Sequence, residues 1–367
     1  MKVPFLDLKA QLNSIRVEIE ESFSLIIDNT AFVSGKGVTD FEHKFAEIQD
    51  VNHALGLSSG TDGNHLAMIG CNIGQDDEVL MPVNTFIATA EGISHTGAKP
   101  VFIDINENTY NIDVSKIEGA INQRTRAINP VHLFGQPSDV DPIIEIAKAH
   151  NLIVIEDAAQ AHLAEYKGKK VGSLGTIASW SFYPGKNLGA WGEAGAVTTN
   201  NEELFIKTKK FRDHGSDRKY YHDIIGHNYR MSEFQAAVLV VKMKYIKKWT
   251  EMRCNNAQKY NERLKDLGNV VIPFESKDCR HVYHLYVIRA EKRDKLQSYL
   301  NERGISTGIH YPFPLHLTDA YKYLGYNKGD FPIAEKVSEK ILSLPMYPEL
   351  HEEQIDYVCE LIRKFYT

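Results

Sequence analysis

The chain has 367 residues, of which 43% are hydrophobic and 25% charged, a composition typical of folded globular proteins. Lys and Arg number 42 against 48 Asp and Glu, a net charge of −6 with no long block of one sign, which argues against a dedicated binder of nucleic acid or of anionic membranes. No apolar stretch is long enough to cross a bilayer and the four cysteines form no Cys-x-x-Cys pair, so we expect a cytoplasmic protein in a reducing compartment, without a metal site.

Two amphipathic helices are predicted at the N-terminus. Apolar side chains recur at helical spacing between Leu12 and Ile26, and again between Val38 and Ile48. Since each pattern puts its apolar residues on one face, we expect both helices to pack against the rest of the protein.

Between residues 53 and 200, short apolar runs alternate with segments of helical spacing. The runs, which we interpret as strands, cover 54–57, 79–81, 101–103, 127–133, 152–155 and 177–182. Helices are predicted between them at 61–72, 85–95, 114–122 and 141–150. Strands that alternate with helices predict an α/β domain whose mainly parallel sheet is covered on both faces.

The C-terminal part of the chain has a different pattern. A long helical pattern covers 232–266. After it, we predict strands at 270–274 and 282–288 and helices near 292–303, 333–342 and 352–365. The chain is therefore predicted to form a large domain at 1–245 and a smaller α+β domain at 246–367.

A Gly-x-Ser-x-Gly motif at 56–60 centres on Ser58, between a predicted strand and a predicted helix. This is the setting of the nucleophile of many hydrolases. Against that interpretation, the strand before Ser58 is the first of its array, whereas a hydrolase nucleophile normally follows several strands. A serine hydrolase is kept as an alternative from a different enzyme class.

Two other features could bind a phosphorylated pyridine cofactor. The turn Ser59-Gly60-Thr61-Asp62 opens a predicted helix, where free backbone N–H groups attract a phosphate. Asp157 ends a buried strand at the carboxyl edge of the sheet, where it could keep a pyridine nitrogen protonated. Each has an ordinary alternative, a plain turn for the first and a helix cap for Asp157.

Lys186 lies on a Pro-Gly turn after a predicted strand and before a glycine-rich segment. A lysine held there, partly removed from water, could form a Schiff base with an aldehyde, although most loop lysines are only solvated. Phe86 could lie flat on a pyridine ring, although an aromatic residue there could also be core. Taken together, these signals predict a site for pyridoxal 5′-phosphate (PLP).

Five ordered motifs resemble those of the DegT/DnrJ/EryC1/StrS family of sugar aminotransferases. They lie at 59–62 (Ser-Gly-Thr-Asp), 82–90, 155–162, 181–189 (Ser-Phe-Tyr-Pro-Gly-Lys-Asn-Leu-Gly) and 226–231. The resemblance implies an α/β fold of the aspartate-aminotransferase type (fold type I), with a large domain built on a mixed, mainly parallel seven-stranded sheet and a small C-terminal α+β domain. It also implies a homodimer with shared active sites.

The resemblance implies roles for individual residues. Lys186 would form the Schiff base and move protons. Family members with histidine at this position are dehydratases instead, so the resemblance with Lys186 implies amino transfer. Asp157 would pair with the pyridine nitrogen, and Gln160 would contact the ring hydroxyl. The other implied cofactor contacts are stacking by Phe86, phosphate contacts from Gly60, Thr61 and Ser181, and a contact from Asn228 to the phosphate bound by the partner subunit.

The implied reaction moves the amino group of L-glutamate to a nucleotide-linked keto sugar. The 181–189 motif is similar to the branch that acts on dTDP-3-keto-6-deoxyhexoses, so the implied product is a dTDP-3-amino-3,6-dideoxyhexose, a deoxyamino sugar of the kind built into lipopolysaccharide O-antigens. Amination at C4 is the alternative. Candidate contacts to the sugar or nucleotide, for which interface or solvent roles stay open, are Tyr183, His310, Tyr311, His316, His214 and Lys219.

The resemblance is broken just after the first motif. Gly63-Asn64 stands where Ala-Leu usually follows Gly-Thr-Asp. Glycine should weaken the start of the helix by about 1 kcal/mol without removing its N–H groups. A third hypothesis keeps the fold in a non-enzymatic regulatory or scaffold protein, since fold does not by itself imply catalysis.

Overall fold

A seven-stranded sheet forms the centre of a computed structural model that describes residues 1–367. The strands of the protein are β1 (His53–Leu57), β2 (Glu78–Pro82), β3 (Lys99–Ile103), β4 (Thr125–Ile128), β5 (Ile153–Asp157), β6 (Glu165–Tyr166), β7 (Lys169–Lys170), β8 (Ile177–Ser181), β9 (Gly195–Thr199), β10 (Val270–Val271), β11 (Cys279–Arg280), β12 (Tyr286–Ala290) and β13 (Ile341–Leu344).

Eleven α-helices surround this sheet and a smaller C-terminal one. They are α1 (Leu8–Asp28), α2 (Lys36–Gln49), α3 (Gly60–Gly70), α4 (Ile87–Ser94), α5 (Val140–Ala149), α6 (Glu202–Arg212), α7 (Glu233–Met243), α8 (Ile246–Leu264), α9 (Arg293–Glu302), α10 (Pro332–Ser338) and α11 (Glu352–Tyr366). None of these helices has the length and apolarity needed to cross a membrane.

The large sheet has the strand order β1-β9-β8-β5-β4-β2-β3. Only β9 runs against the others, since it pairs antiparallel with both β1 and β8. The remaining pairs are parallel, so the prediction of a mixed, mainly parallel seven-stranded sheet is confirmed. The carboxyl ends of β1, β5 and β8 therefore meet at one edge, which is where an open α/β sheet binds its ligands.

The two predicted N-terminal helices are confirmed as α1 and α2. The Asp7 carboxylate caps α1 by accepting hydrogen bonds from the first backbone N–H groups of the helix. The buried face of α1, which includes Ile15 and Ile19, packs on α7. At the start of α2, Glu233 of α7 accepts hydrogen bonds from the backbone N–H groups of Gly35 and Gly37, at 2.6 and 2.7 Å.

Two predicted elements of the large sheet region are wrong in extent or type. The strand predicted at 127–133 ends at Ile128, because Pro130 has no N–H group with which to continue the ladder. The chain then leaves the sheet through a 3₁₀ turn at Leu133–Gly135. The helix predicted at 114–122 is two 3₁₀ turns, with Gly119, a poor helix former, in the second.

The C-terminal part also differs in detail from the prediction. The pattern at 232–266 is two helices, α7 and α8, with a break at 244–245. The strand predicted at 270–274 is only Val270–Val271, and the one predicted at 282–288 lies at Tyr286–Ala290. The helix predicted at 333–342 ends at Ser338, and the chain then enters β13, which the sequence analysis missed together with β9 and α6.

The C-terminal sheet, in the order β10-β12-β13, is antiparallel and packs with α8, α9 and α11 around its own apolar core. Val3 also belongs to this core and pairs with Ile305, so the first residues of the chain cross to the C-terminal part. We propose that the boundary between the large domain (1–245) and the small domain (246–367) lies at the break between α7 and α8.

Candidate active site

The N-terminus of α3 and the end of β8 form an anion-binding corner at the carboxyl edge of the sheet. Ser59 caps α3, since its Oγ accepts from the Asp62 N–H at 3.1 Å, whereas the N–H groups of Gly60 and Thr61 have no partner within the chain. A Cβ atom added at Gly60 would lie 2.6 Å from the Cβ of Ser181, so only glycine allows this approach. The two free N–H groups and the Ser181 hydroxyl could hold a phosphate.

The nearby Ser58 has no catalytic base. Its hydroxyl donates to Asp62 Oδ2 at 2.6 Å, and no imidazole is hydrogen-bonded to it. A hydrolytic serine needs a base to take its proton. The structure therefore gives Ser58 the role of orienting Asp62 and does not support the hydrolase alternative.

Asp157 lies at the end of β5 and is 4% exposed. Its Oδ2 accepts from the Thr89 hydroxyl at 2.7 Å and from the Asn64 side-chain amide at 3.2 Å. Its Oδ1 accepts from the backbone N–H of Ala159 at 3.1 Å. These three donors hold the Asp157 carboxylate at the carboxyl edge of the sheet, where it could face the ring nitrogen of a pyridine cofactor.

Lys186 lies on the turn after β8, which is closed by a hydrogen bond from its backbone N–H to the carbonyl of Tyr183 at 2.8 Å. Burial lowers the pKa of the Lys186 amine to about 8, against a smaller upward effect of the Asp157 charge. An amine with this pKa is about one-tenth unprotonated at pH 7 and about half unprotonated at pH 8, far more than an exposed lysine. Lys186 can therefore attack an aldehyde and exchange protons under ordinary conditions.

Buried hydrogen bonds hold the lysine turn in place. The Lys242 ammonium of α7 donates to the carbonyl of Gly189 at 2.6 Å. The Asn187 side chain donates to the carbonyl of Val282 at 3.0 Å. The segment that follows Lys186 is thus fixed from two sides, by α7 and by the loop that precedes β12.

Gln160, Tyr311 and Phe86 form a connected group near Asp157. The Gln160 side-chain carbonyl accepts from the backbone N–H of Phe134 at 2.7 Å, and its amide donates to the Tyr311 hydroxyl at 3.1 Å. The Tyr311 and Phe86 rings have centroids 5.8 Å apart, and Phe86 is 53% exposed. The exposed face of Phe86 could therefore cover a planar ring.

Two of the three predicted histidines, His310 and His316, are enclosed by the protein and have different surroundings. His310 Nδ1 lies 2.8 Å from the Ser343 hydroxyl, and burial together with the positive charge of Lys186 lowers the pKa of His310 to about 4. His316 is 2% exposed, and its Nε2 lies 2.9 Å from Glu335 Oε1. His310 is thus a neutral group beside Lys186, whereas the buried partner of His316 indicates a structural role in place of the predicted sugar contact.

The remaining predicted contacts lie on the surface of the chain. Tyr183 is 55% exposed, and His214, Lys219 and Asn228 are exposed on the segment between α6 and α7. Within one chain, none of their side chains hydrogen-bonds to Lys186. They are available to a substrate or to a second subunit.

PLP suits the chemistry of this set of residues. The phosphate could bind at Gly60, Thr61 and Ser181, the ring nitrogen at Asp157, and the aldehyde at Lys186. No group of three or more His, Cys, Asp or Glu side chains is arranged to hold a metal ion.

The sequence analysis missed the buried polar residues behind the site. Asn64, Thr89 and Lys242 are each 2% exposed or less, and all three lie on helices whose neighbouring residues are mostly apolar. Their signal in the sequence is a single polar residue at a position where the helical pattern expects an apolar one. A buried polar side chain needs a hydrogen-bonding partner, and two of these three residues, Asn64 and Thr89, hydrogen-bond to Asp157.

Known proteins similar to this chain match it over nearly its whole length. A pleiotropic regulatory protein of Geobacillus stearothermophilus is 46% identical, over 100% of this chain and 99% of its own. A dTDP-3-amino-3,6-dideoxy-α-D-galactopyranose transaminase of Aneurinibacillus thermoaerophilus is 42% identical over 99% of both chains. A UDP-N-acetyl-3-dehydro-α-D-glucosamine 3-aminotransferase of Acidithiobacillus ferrooxidans is 40% identical, over 99% of this chain and 97% of its own.

Solved structures share the fold. DesV of Streptomyces venezuelae, in complex with a ketimine intermediate, superposes with a TM-score of 0.97 at 40% identity, over 99% of this chain and 98% of its own. NtdA of Bacillus subtilis with bound cofactor PMP has a TM-score of 0.92 at 34% identity, over 99% of this chain and 85% of its own. The predicted fold class is confirmed.

The family model of the DegT/DnrJ/EryC1/StrS aminotransferases matches residues 13–363. Members of this family are PLP-dependent nucleotide-sugar transaminases, so the predicted enzyme class and cofactor are confirmed. The serine hydrolase and the non-enzymatic regulator, kept as alternatives from the sequence, are wrong. The chain belongs to the DegT/DnrJ/EryC1/StrS aminotransferase family.

Proposed function

We propose that this PLP-dependent nucleotide-sugar aminotransferase transfers the amino group of L-glutamate to C3 of a dTDP-linked 3-keto-6-deoxyhexose. The observation that carries the proposal is a buried lysine, Lys186, whose pKa is lowered to about 8, near enough to the Asp157 carboxylate to feel its charge, at the sheet edge where a helix N-terminus has free N–H groups. The product would be a dTDP-3-amino-3,6-dideoxyhexose.

Bound PLP supplies an electron sink that stabilises negative charge at the amino-bearing carbon. The chain supplies position and proton transfer. Asp157 holds the ring nitrogen in its protonated form, and the N–H groups of Gly60 and Thr61, with the Ser181 hydroxyl, bind the phosphate. Phe86 covers one face of the ring, and Gln160 orients the ring hydroxyl.

Lys186 carries the proton in both halves of the reaction. Its amine takes a proton from the amino-bearing carbon of glutamate and later gives one to the sugar carbon that receives nitrogen. The surroundings of Lys186 are suited to this exchange, because burial lowers the pKa of the amine to about 8, much nearer to neutral pH than that of an exposed lysine. Neutral His310, which is near enough to Lys186 to feel its charge, and Tyr311, which is near Asp157, are our candidates for binding the hexose hydroxyls.

The choice of sugar nucleotide rests on the similar proteins. The Aneurinibacillus relative, 42% identical, is a transaminase for dTDP-3-amino-3,6-dideoxygalactose, which supports dTDP, C3 and a 6-deoxyhexose together. The Acidithiobacillus relative also acts at C3 but on a UDP sugar, so the nucleotide is the part of the proposal that a test must separate.

The reaction is tested with a panel of nucleotide keto sugars. Purified enzyme with PLP and glutamate is given dTDP-3-keto-6-deoxyglucose, its galactose epimer, dTDP-4-keto-6-deoxyglucose and a UDP-linked 3-keto sugar, and amino sugar is measured by mass spectrometry. We expect product from a dTDP-3-keto substrate and none with the Lys186→Ala variant. If the 4-keto sugar is turned over preferentially, the enzyme aminates C4 instead. If the UDP-linked sugar is turned over preferentially, the proposal that the nucleotide is dTDP is wrong.

We also propose a homodimer in which each subunit completes the other's active site. A continuous row of aromatic rings, Trp191, Phe23, Phe234 and Phe32, runs along the surface next to the lysine turn, with neighbouring centroids 5.0 to 6.1 Å apart. Trp191 and Phe32 are 40% and 47% exposed. An apolar surface of this kind is typical of a subunit interface.

Mixing two inactive variants tests the shared site. Lys186→Ala and Asn228→Ala chains are purified, mixed and allowed to exchange subunits. If Asn228 acts in the partner's site, each mixed dimer has one intact site, so about a quarter of wild-type activity should return for a closed two-fold dimer. If no activity returns although light scattering of tagged chains shows that the subunits have exchanged, the proposal of a shared site is wrong.

A further inference from the structure

Asn64 contacts Asp157 from a position where the family pattern has an apolar residue. The side chain is 2% exposed on the inner face of α3. Its Nδ2 lies 3.2 Å from Asp157 Oδ2 and 3.5 Å from the backbone carbonyl of Ala88. Its Oδ1 accepts from the Ser179 hydroxyl of β8 at 2.5 Å.

The orientation of this amide is fixed by its neighbours. The carboxylate of Asp157 and the carbonyl of Ala88 can only accept hydrogen bonds, so the side of the amide that faces them must be the NH₂ group. The Ser179 hydroxyl then donates to the amide oxygen. Asn64 is thus a hydrogen-bond donor to Asp157, because the flipped orientation of its amide would place the amide oxygen against two acceptors.

The packing of α3 on α4 makes room for this amide. A Cβ atom added at Gly92 would lie 2.5 Å from the Cβ of Asn64, so the two helices approach closely there. Ser179 pairs in register with Asp157 in the sheet. Asn64 therefore joins the end of β5 to β8 from a helix that is held tightly in place.

The hydrogen bonds leave the Asp157 carboxylate with a defined acceptor site. Each carboxylate oxygen accepts about two strong hydrogen bonds. Oδ2 already has two side-chain donors, Asn64 and Thr89, whereas Oδ1 has only the backbone N–H of Ala159. The free acceptor position is on Oδ1.

We propose that Asn64 is a positioning residue that, with Thr89, fixes the rotation of the Asp157 carboxylate so that Oδ1 receives the ring N–H of the cofactor. The inference rests on the role proposed above for Asp157. In the absence of the Asn64 amide, Oδ2 has one donor, the carboxylate is free to rotate, and the buried anion is less well stabilised. The ring nitrogen then finds a less ordered partner.

The test measures cofactor affinity with and without a ring nitrogen. Dissociation constants of pyridoxamine 5′-phosphate, and of its analogue with C–H in place of the ring nitrogen, are measured by fluorescence titration of the full-length apoenzyme. The chains compared are wild type, Asn64→Leu, Thr89→Val and Asp157→Asn. Thr199→Val is the matched control, because it removes a buried hydroxyl that bonds to the carbonyl of Thr176 at the far end of the sheet.

We expect Asn64→Leu and Thr89→Val to weaken binding of pyridoxamine phosphate by about tenfold, the effect of one hydrogen bond to a charged group. Binding of the analogue should change less than about twofold, because it has no N–H to present to Oδ1. Thr199→Val should affect neither ligand, and combining Asn64→Leu with Asp157→Asn should add little to Asp157→Asn alone.

Two results would overturn the proposal, and they are distinguishable. If Asn64→Leu weakens both ligands equally, or weakens neither, Asn64 supports only the fold or has no part in binding. If Asp157→Asn weakens the binding of both ligands equally, Asp157 does not face the ring nitrogen. The role proposed for Asp157 in the reaction is then wrong, and so is the role proposed for Asn64. If the Asn64→Leu variant folds poorly, the affinities of Thr89→Val for the two ligands test the same proposal.

Discussion

The reactive lysine and its counter-charge show how burial sets chemistry at the level of single residues. Desolvation favours the neutral amine of Lys186, while Asp157 favours the charged one, and desolvation has the larger effect. The sequence motifs were enough to predict both residues, because each follows the end of an apolar strand. The motifs could not predict Asn64 or Thr89, since a hydrogen bond between two helices and a strand end depends on packing that no local pattern contains.

The lowered pKa of Lys186 predicts the pH dependence of cofactor capture. Only the neutral amine attacks an aldehyde, so the rate of PLP incorporation into the apoenzyme should rise with pH and level off above about 8, the pKa of Lys186. For an ordinary exposed lysine, the rate would continue to rise with pH up to the usual lysine pKa of 10.5. Stopped-flow absorbance between pH 6 and 10 measures this.

Asp157→Asn provides the matched comparison for the same experiment. Removal of the negative charge leaves desolvation unopposed, so the pH midpoint of the rate should fall. A midpoint that stays at the position of an exposed lysine in both proteins would contradict the burial of Lys186.

At the level of elements, the close contact between the start of α3 and the end of β8 defines the phosphate corner. Its glycine could be predicted from the sequence as a helix-start residue. The structure gives a different reason for glycine, however: Gly60 lies so close to Ser181 of β8 that a side chain at position 60 would collide with it. The strand β9, which lies between β1 and β8, was missed because Gly195–Thr199 is a short run of small residues that follows a glycine-rich segment.

Replacing Gly60 by alanine should open this corner. The new methyl group would lie 2.6 Å from the Cβ of Ser181, so α3 and β8 must move apart, and we expect cofactor affinity to fall by at least about tenfold. Gly119→Ala is the control, because a Cβ atom there meets no other atom within 4 Å. Both affinities can be measured by equilibrium dialysis of PLP. Equal affinities in the two variants would show that the corner tolerates a side chain.

For the whole molecule, burial of neutral histidines links stability to pH. His162 is buried among Phe45, Trp180 and Phe182, with no hydrogen-bonding partner at either ring nitrogen, and burial lowers its pKa to about 3. The unfolded chain takes up a proton on this imidazole below about pH 6.5, whereas the folded chain does so only near 3. Within that window the unfolded state binds more protons, so the free energy of unfolding decreases as the pH falls.

The His162→Phe variant should reduce this acid sensitivity. Phenylalanine keeps an aromatic ring against Trp180 and cannot be protonated. Between pH 6 and 4, the slope of the unfolding free energy against pH should therefore fall by about 1.4 kcal/mol per pH unit, the effect of one proton. Urea unfolding of the apoenzyme at several pH values measures the slope. An unchanged slope would mean that His162 is protonated in the folded protein.

The position of β9 also has a consequence for the order in which the protein assembles as it is synthesised. The strand β1 pairs only with β9 among the strands of its sheet, so it has no neighbour until residues 195–199 have left the ribosome. A Cβ atom at Gly195 would lie 2.0 Å from the carbonyl oxygen of Ser59, which shows how tightly β9 shapes the turn before α3. We therefore expect the phosphate corner to form only after β9 has paired with β1, and cofactor binding to follow completion of the sheet.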